Sequence, residues 1–262
     1  MRALLFETND ASGSVASKYA HALGFFLALT FLCTLAIAAF ASLRYEWNWA
    51  IVYQYRVKFL EGWLTTIQIS VAALALSVVF GGVSALCHRS RFLPLRYLVR
   101  IYVELTRGTP LLVQILIFYY VVADAVQLEN RYVVGTLVLA LFSGAYLAEI
   151  FRAGIESVGS SQLLSAKALG FDPYQTFRYV GFPQAIRYSL PALAGQFANL
   201  VKDSSLLSII AISEFTLNAQ EVNSRTLSSF ESFFPLALGY LLLTLPVIQL
   251  SRYIERRVSF DT

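Results

Sequence analysis

The sequence predicts an all-α, polytopic membrane helical bundle of six transmembrane helices with a helical cytoplasmic loop between the fourth and fifth spans. Three observations carry this expectation. Six apolar runs are long enough to cross a bilayer, the chain is 57% hydrophobic with only 14% charged residues, and its basic residues divide unevenly between alternate loops. A soluble domain carries about 25% charged residues. The missing charge implies that most of this surface does not face water.

The six runs lie near 21–43, 59–88, 96–123, 132–157, 188–216 and 232–255. Each spans about 30 Å of hydrocarbon at about 1.5 Å per residue. The first begins after a mixed polar stretch containing Glu7, Asp10 and Lys18. It is longer than the apolar part of a secretion signal, and is read as a true span. Residues 1–20 form a tail, 21–57 an additional first span with its outer loop, and 58–258 the main transmembrane domain.

Orientation follows from the basic residues. One side holds Arg2, Lys18, Arg89, Arg91, Arg96, Lys167, Arg178, Arg187, Arg252, Arg256 and Arg257. The other holds Arg44, Arg56, Lys58, Arg131 and Arg225. Eleven against five makes the first side cytoplasmic, with both termini inside. The net charge of +4 is therefore an orientation signal, and nucleic-acid binding is excluded as a reading of it.

The connection at about 158–187 is patterned as helix. Ser160 or Ser161 is placed to cap a short helix through Leu163, Ala166 and Leu169, which Gly170 ends with a left-handed turn. Asp172 caps a second helix, with Pro173 at its first position and Gln175 three residues after the cap. Pro183 is expected to break the run. Exposed Leu, Phe and Tyr on this loop fit either a protein docking site or an interfacial helix lying on lipid.

Ionisable residues inside predicted spans need partners, water or a substrate, because a charge at the bilayer centre costs about 2.5–3.5 kcal/mol on insertion scales. Glu104 and Arg107 fall in the third span and Glu149 and Arg152 in the fourth, each pair three residues apart on one helix face. The expectation is local pairing, with Glu104 and Glu149 roughly 12 Å in from the cytoplasmic face and able to line one vestibule. Lys202 and Asp203 are adjacent near the middle of the fifth. They point about 100° apart, so each needs a partner elsewhere. A zwitterionic ligand or a neighbouring helix would serve equally.

No Gly-x-x-x-x-Gly-Lys-Ser/Thr loop is present, so the chain carries no phosphate loop for ATP. The two cysteines, Cys33 and Cys87, and the two histidines, His21 and His88, have no metal-type spacing. The material is that of a conduit, not a catalyst, and no cofactor or metal is expected on it.

Five stretches together resemble one family. Residues 161–185, SQLLSAKALGFDPYQTFRYVGFPQA, resemble the coupling loop of ATP-binding-cassette (ABC) importer permeases. Residues 102–114, YVELTRGTPLLVQ, are similar to the third-span signature of the polar amino acid branch, which serves histidine, glutamine, glutamate and arginine. AYLAEIFRAGI at 145–155, VKDSSLLSII at 201–210 and EGWLTT at 61–66 fit the same pattern. The resemblance covers about residues 58–258 and implies the type I ABC importer permease fold.

It also implies partners: a cytoplasmic ABC ATPase dimer holding ATP and Mg, a second permease (the same or a similar chain), and an extracytoplasmic amino-acid-binding protein. The implied location is a bacterial inner membrane, and the implied mechanism alternating access. The ATPase-coupling residues carried over are Leu163, Leu164, Ala166, Lys167, Leu169, Gly170, Phe171 and Pro183. The family's coupling-loop Glu is Leu164 here, and its first Ala is Ser165. Docking is therefore expected to rest on shape and on exposed Leu163, Leu169 and Phe171. The implied substrate contacts are Glu149, Gln196, Asn199 and Lys202, then Asp203, Ser204, Glu104 and Arg107. An ion-coupled secondary carrier using Glu149, Lys202 and Asp203 is the competing class, against which loop 161–185 argues. A non-transporting scaffold has little reason to carry Lys202 and Asp203.

Overall fold

The computed structural model describes residues 15–41 and 45–258. Arg2, Arg44 and the first fourteen residues of the expected tail lie outside the described residues. The chain divides into two units, with the boundary after Trp47. The first unit contains α1 (Val15–Ala41), whose described apolar stretch Leu23–Leu35 exposes Phe25, Phe26, Phe31 and Leu32.

Every regular element among the described residues of the second unit is helical. It runs through α2 (Ala50–Gln54), α3 (Arg56–His88), α4 (Leu93–Gly108), α5 (Leu111–Ile117), α6 (Arg131–Glu156), α7 (Ser160–Ala168), α8 (Pro173–Gln175), α9 (Phe182–Asp203), α10 (Phe215–Thr226) and α11 (Ser229–Val258). Among the described residues three helices are long and apolar enough to cross a membrane, namely α3, α6 and the 229–250 part of α11. A fourth crossing results if α4 and α5 count as one.

The centre is α6, packed between α3 and α9. Ile69 and Ala73 of α3 meet Val134, Val138 and Leu139 of α6 and Leu200 of α9 in one buried cluster. Farther along, Gly81 lies against Gly144 and Leu147, so α3 and α6 run in the same direction. Helix α9 runs back. Ser189 Oγ donates to Ile150 O at 3.3 Å, and Gln196 Nε2 to Ser143 Oγ at 3.3 Å. Small residues permit this approach, as they do in other membrane bundles. A Cβ on Gly154 would stand 2.1 Å from Ser189 Oγ and 2.7 Å from the Ala185 carbonyl.

Two expected spans are not straight helices. The third bends by 113° between α4 and α5. Pro110 lacks an N–H and holds Thr109 extended, at φ −124° and ψ 147°, which ends a helix. Gln114 Nε2 then donates to the orphaned carbonyls of Thr106, at 2.8 Å, and Thr109, at 3.2 Å, satisfying groups that the helix end leaves open. The fifth span, expected to run to 216, stops at Asp203. A 3-10 segment covers Ser204–Ile210, and Ala211 turns left-handed at φ 57°. The chain then enters α10, which the apolar pattern did not separate from its neighbours.

The coupling segment, α7 to α8, keeps most of its expected punctuation. Gly170 has φ +83°. The Phe171 N–H reaches Ala166 O at 3.0 Å and the Gly170 N–H reaches Lys167 O at 3.0 Å, the pair of bonds of a Schellman end. Asp172 and Gln175 form the reciprocal capping box, with Gln175 N to Asp172 Oδ1 at 2.7 Å and Asp172 N to Gln175 Oε1 at 3.0 Å. Two expectations are corrected. The first helix is preceded by Gly159 with no side-chain cap, because α7 starts at Ser160 itself. Pro183 does not break the run; it stands in the first turn of α9 after a widened π stretch at 176–181, where its missing N–H costs least.

Candidate functional site

Helix α4 carries a polar stripe at Arg96, Arg100, Glu104 and Arg107. Beside the stripe, Val99 and Val103 pack onto Ala145 and Ala148 of α6. Tyr102 fixes the pairing further, its hydroxyl donating to Leu141 O at 2.5 Å. Between the stripe and α6 lies a half-open cavity of about 490 Å³, lined by His88, Arg96, Arg100, Glu104, Arg107, Glu149 and Arg152 among others. The vestibule expected to join Glu104 and Glu149 is this space.

The pairing inside it differs from the expectation in one respect. Glu104 does not meet Arg107. Its Oε1 accepts from Arg100 Nε at 2.7 Å, while Arg107 Nη1 crosses to Glu149 Oε2 at 3.3 Å. The reason is the face on which Arg107 stands. It lies one turn beyond Val103, whose packing directs that side of α4 at α6. Arg152 grips Glu149 as expected, with Nε to Oε1 at 2.9 Å and Nη2 to Oε2 at 3.0 Å. Its Nη1 also reaches Glu156 Oε2 at 2.6 Å. Glu149 thus holds two guanidinium groups, a fork arrangement stronger than a single contact. Arg107 also lies over the Tyr146 ring, 5.4 Å from its centre.

The remaining expected contacts lie elsewhere along the bundle. Gln196 is buried on Ser143, Asn199 is exposed, and Ser204 is buried with its Oγ on Val201 O at 2.8 Å. Lys202 is exposed and Asp203 half-buried. Among the described residues neither side chain has a salt bridge. The α6–α9 register sets position 202 opposite 137, twelve residues from Glu149, or about 18 Å along the axis. The expected residues therefore form one cluster at Glu104, Arg107 and Glu149, a second at Lys202 and Asp203, and Gln196 between them.

The coupling surface is also refined. Leu164 and Leu169 are 63% and 77% exposed, Phe171 is exposed at its edge, and Lys167 and Gly170 are exposed. Ala166 is buried. Leu163, expected outside, is half-buried and lines a second cavity beneath the segment. The outward leucine is Leu164, where the family carries Glu.

Sequence reasoning missed Arg96, Arg100 and His88 on the inner cavity; the four-residue spacing of the α4 stripe was the available signal. It also missed Glu214, fully buried at the start of α10. Glu214 accepts from the N–H groups of Thr216 and Leu217 at 2.9 and 2.8 Å and from the Tyr240 hydroxyl at 3.0 Å. With its hydrogen bonds made, it joins α10 to α11 as a structural element.

Known proteins place this architecture. The family model described as binding-protein-dependent transport system inner membrane component matches residues 77–260. A Bacillus subtilis relative named "Probable glutamine ABC transporter permease protein GlnM" is 36% identical over 212 residues, covering 81% of this chain and 98% of the relative. The glutamate/aspartate import permease protein GltK of Escherichia coli is 28% identical over 223 residues, covering 82% and 100%. Among solved structures, an amino acid ABC transporter crystallised with histidines is similar at TM-score 0.75 and 33% identity, covering 81% of this chain and 100% of that one. An inward-facing MetNI methionine ABC transporter shares the fold at TM-score 0.65 and 14% identity, covering 79% and 99%. The chain belongs to the binding-protein-dependent transport system inner membrane component family, and is a membrane-spanning permease subunit of an ABC importer.

Proposed function

We propose that this permease carries polar amino acids inward by alternating access. The observation that carries the reading is the pair Arg107–Glu149 facing a half-open cavity between α4 and α6. It offers both signs of charge, which a zwitterion needs, within a bundle where unpaired charge is costly. The glutamine and glutamate/aspartate names of its relatives support the same class. Lys202 and Asp203, with no salt bridge among the described residues, form a second station about 18 Å farther out, with Gln196 between the two.

In this reading the coupling segment lies in the cytoplasm with both termini, and the membrane is the bacterial inner membrane. Leu169 and Phe171 dock on a separate ATPase dimer, which holds the ATP and Mg; this chain holds no cofactor. A second permease completes the pathway, and an extracytoplasmic binding protein delivers substrate at the opposite end.

The test is co-purification with the ATPase, then measurement of ATP hydrolysis with binding protein loaded with glutamine, glutamate, histidine or arginine. Stimulation by at least one is expected. No stimulation by any amino acid overturns the reading.

A further inference from the structure

The second cavity, beneath the coupling segment, shares no lining residue with the first. It is half-open and has a volume of about 540 Å³, within the range of roughly 300–1,000 Å³ that takes a whole small molecule. Leu86 and Arg89 reach it from the end of α3, Ile155 from the end of α6, Leu163 and Lys167 from α7, and Phe177 from the widened stretch before α9. By residue type its walls are apolar except for two cations and one hydroxyl, and no carboxylate stands in them.

The cations are not neutralised. Arg89 and Lys167 make no salt bridge among the described residues. Residues 89–107 and 149–187, which make up this end of the bundle, carry nine Lys and Arg against four carboxylates. Three of the four are held by other arginines: Glu104 by Arg100, Glu149 by Arg107 and Arg152, and Glu156 by Arg152. The fourth, Asp172, caps α8.

The hydroxyl is that of Thr176. In the regular helices Thr65, Thr136, Thr226 and Thr244 each donate to the carbonyl four residues back, at 2.9, 2.7, 2.8 and 2.9 Å. Thr176 is buried in the widened stretch, and its Oγ1 has no partner among the described residues. A buried hydroxyl left unpaired is costly and calls for an unseen partner, and the cavity is the space beside this residue. An occupant must therefore be apolar over most of its surface and anionic at one end. Leu86 is 64% exposed where α3, a membrane-crossing helix, ends, so the rim is open to hydrocarbon at the level of the head groups. Basic pockets between helices at the cytoplasmic face are where anionic head groups seat. A free phosphate would leave the apolar walls uncovered.

We infer that this cavity holds an anionic phospholipid of the cytoplasmic leaflet, its phosphate on Arg89 and Lys167 and an acyl chain along Leu86, Ile155 and Phe177. Thr176 donates to the same head group. The lipid braces α7 against the ends of α3 and α6, so that the coupling segment and the spans move as one. The inference takes its leaflet from the importer reading above.

The permease–ATPase complex, stripped of lipid in detergent, would be given equal amounts of phosphatidylglycerol and phosphatidylcholine and its retained lipid measured by native mass spectrometry. Expected is at least a tenfold preference for phosphatidylglycerol, lost in Arg89→Gln with the ATPase still bound. Thr176→Val keeps the shape and removes the unpaired hydroxyl. It is expected to lower phosphatidylglycerol retention severalfold with no fall in melting temperature, whereas a hydroxyl with no ligand would leave retention unchanged. Equal retention of the two lipids, or an undiminished preference in Arg89→Gln, overturns the site. Displacement by inorganic phosphate, at an ionic strength where chloride has no effect, overturns it by assigning the cavity to a free anion. Loss of the ATPase from Arg89→Gln overturns it by assigning Arg89 to that subunit. No binding protein enters this measurement, so a failure of amino acids to stimulate hydrolysis overturns the importer reading and leaves the lipid result to stand or fall separately.

Discussion

Arg107 of α4 and Glu149 of α6 meet at 3.3 Å across the mouth of the inner cavity. The contact joins the bent third span to the central helix, and Glu149 shares its carboxylate with Arg152. One acidic side chain therefore balances two cations from two helices.

Replacing Glu149 with Gln would leave both guanidinium groups facing a neutral amide. Uptake in proteoliposomes containing the ATPase is expected to fall at least tenfold, with the complex still assembling. Arg107→Gln is expected to have a smaller effect, because Arg152 keeps Glu149 paired. Equal uptake in Glu149→Gln and the unaltered protein would remove Glu149 from the pathway.

Lys202 stands at the other station. Lys202→Ala is expected to abolish uptake while co-purification with the ATPase persists, since the side chain is exposed and supports no packing. Normal uptake by this variant would show that the Lys202 cluster takes no part in transport.

Gly154 tests the fold, not the pathway. A Cβ there would lie 2.7 Å from a backbone carbonyl of α9, which cannot rotate away. Gly154→Ala is expected to cost about 1–3 kcal/mol, read as a lower melting temperature of the detergent-purified permease. An unchanged melting temperature would contradict the close α6–α9 crossing.

The coupling surface yields a contrast. Leu164 is 63% exposed, so Leu164→Glu should leave the fold and ATPase affinity nearly unchanged. Leu169→Asp places a charge in the centre of the apolar surface and is expected to weaken ATPase binding at least tenfold, measured by titration of the ATPase against nanodisc-held permease. The reverse ranking would assign the contact to Leu164.

The punctuation of the coupling segment was legible in the sequence because it is local. Gly170, Asp172, Pro173 and Gln175 each act within a few residues of themselves, through a left-handed turn or a cap. The apolar runs were legible for a similar reason, since length and hydropathy alone decide whether a helix fits a bilayer. Spacing also pointed to Glu104 and Glu149 as lining one space, which they do.

The sequence by itself thus determined that the chain is an all-α membrane protein, where its short punctuated helices between the fourth and fifth spans lie, and which spans carry charge. Tertiary structure alone decided how those charges pair. Arg107 meets Glu149 and not Glu104 because Val103 packs on α6 and turns that face inward. It also decided that the Lys202 cluster stands about 18 Å from the Glu149 one, because α9 runs antiparallel to α6 in a register set by Ser189 and Gln196. Glu214 belongs to the same class. Its burial arises where the start of α10 meets Thr66 of α3 and Tyr240 of α11, a junction between distant segments that no local pattern encodes.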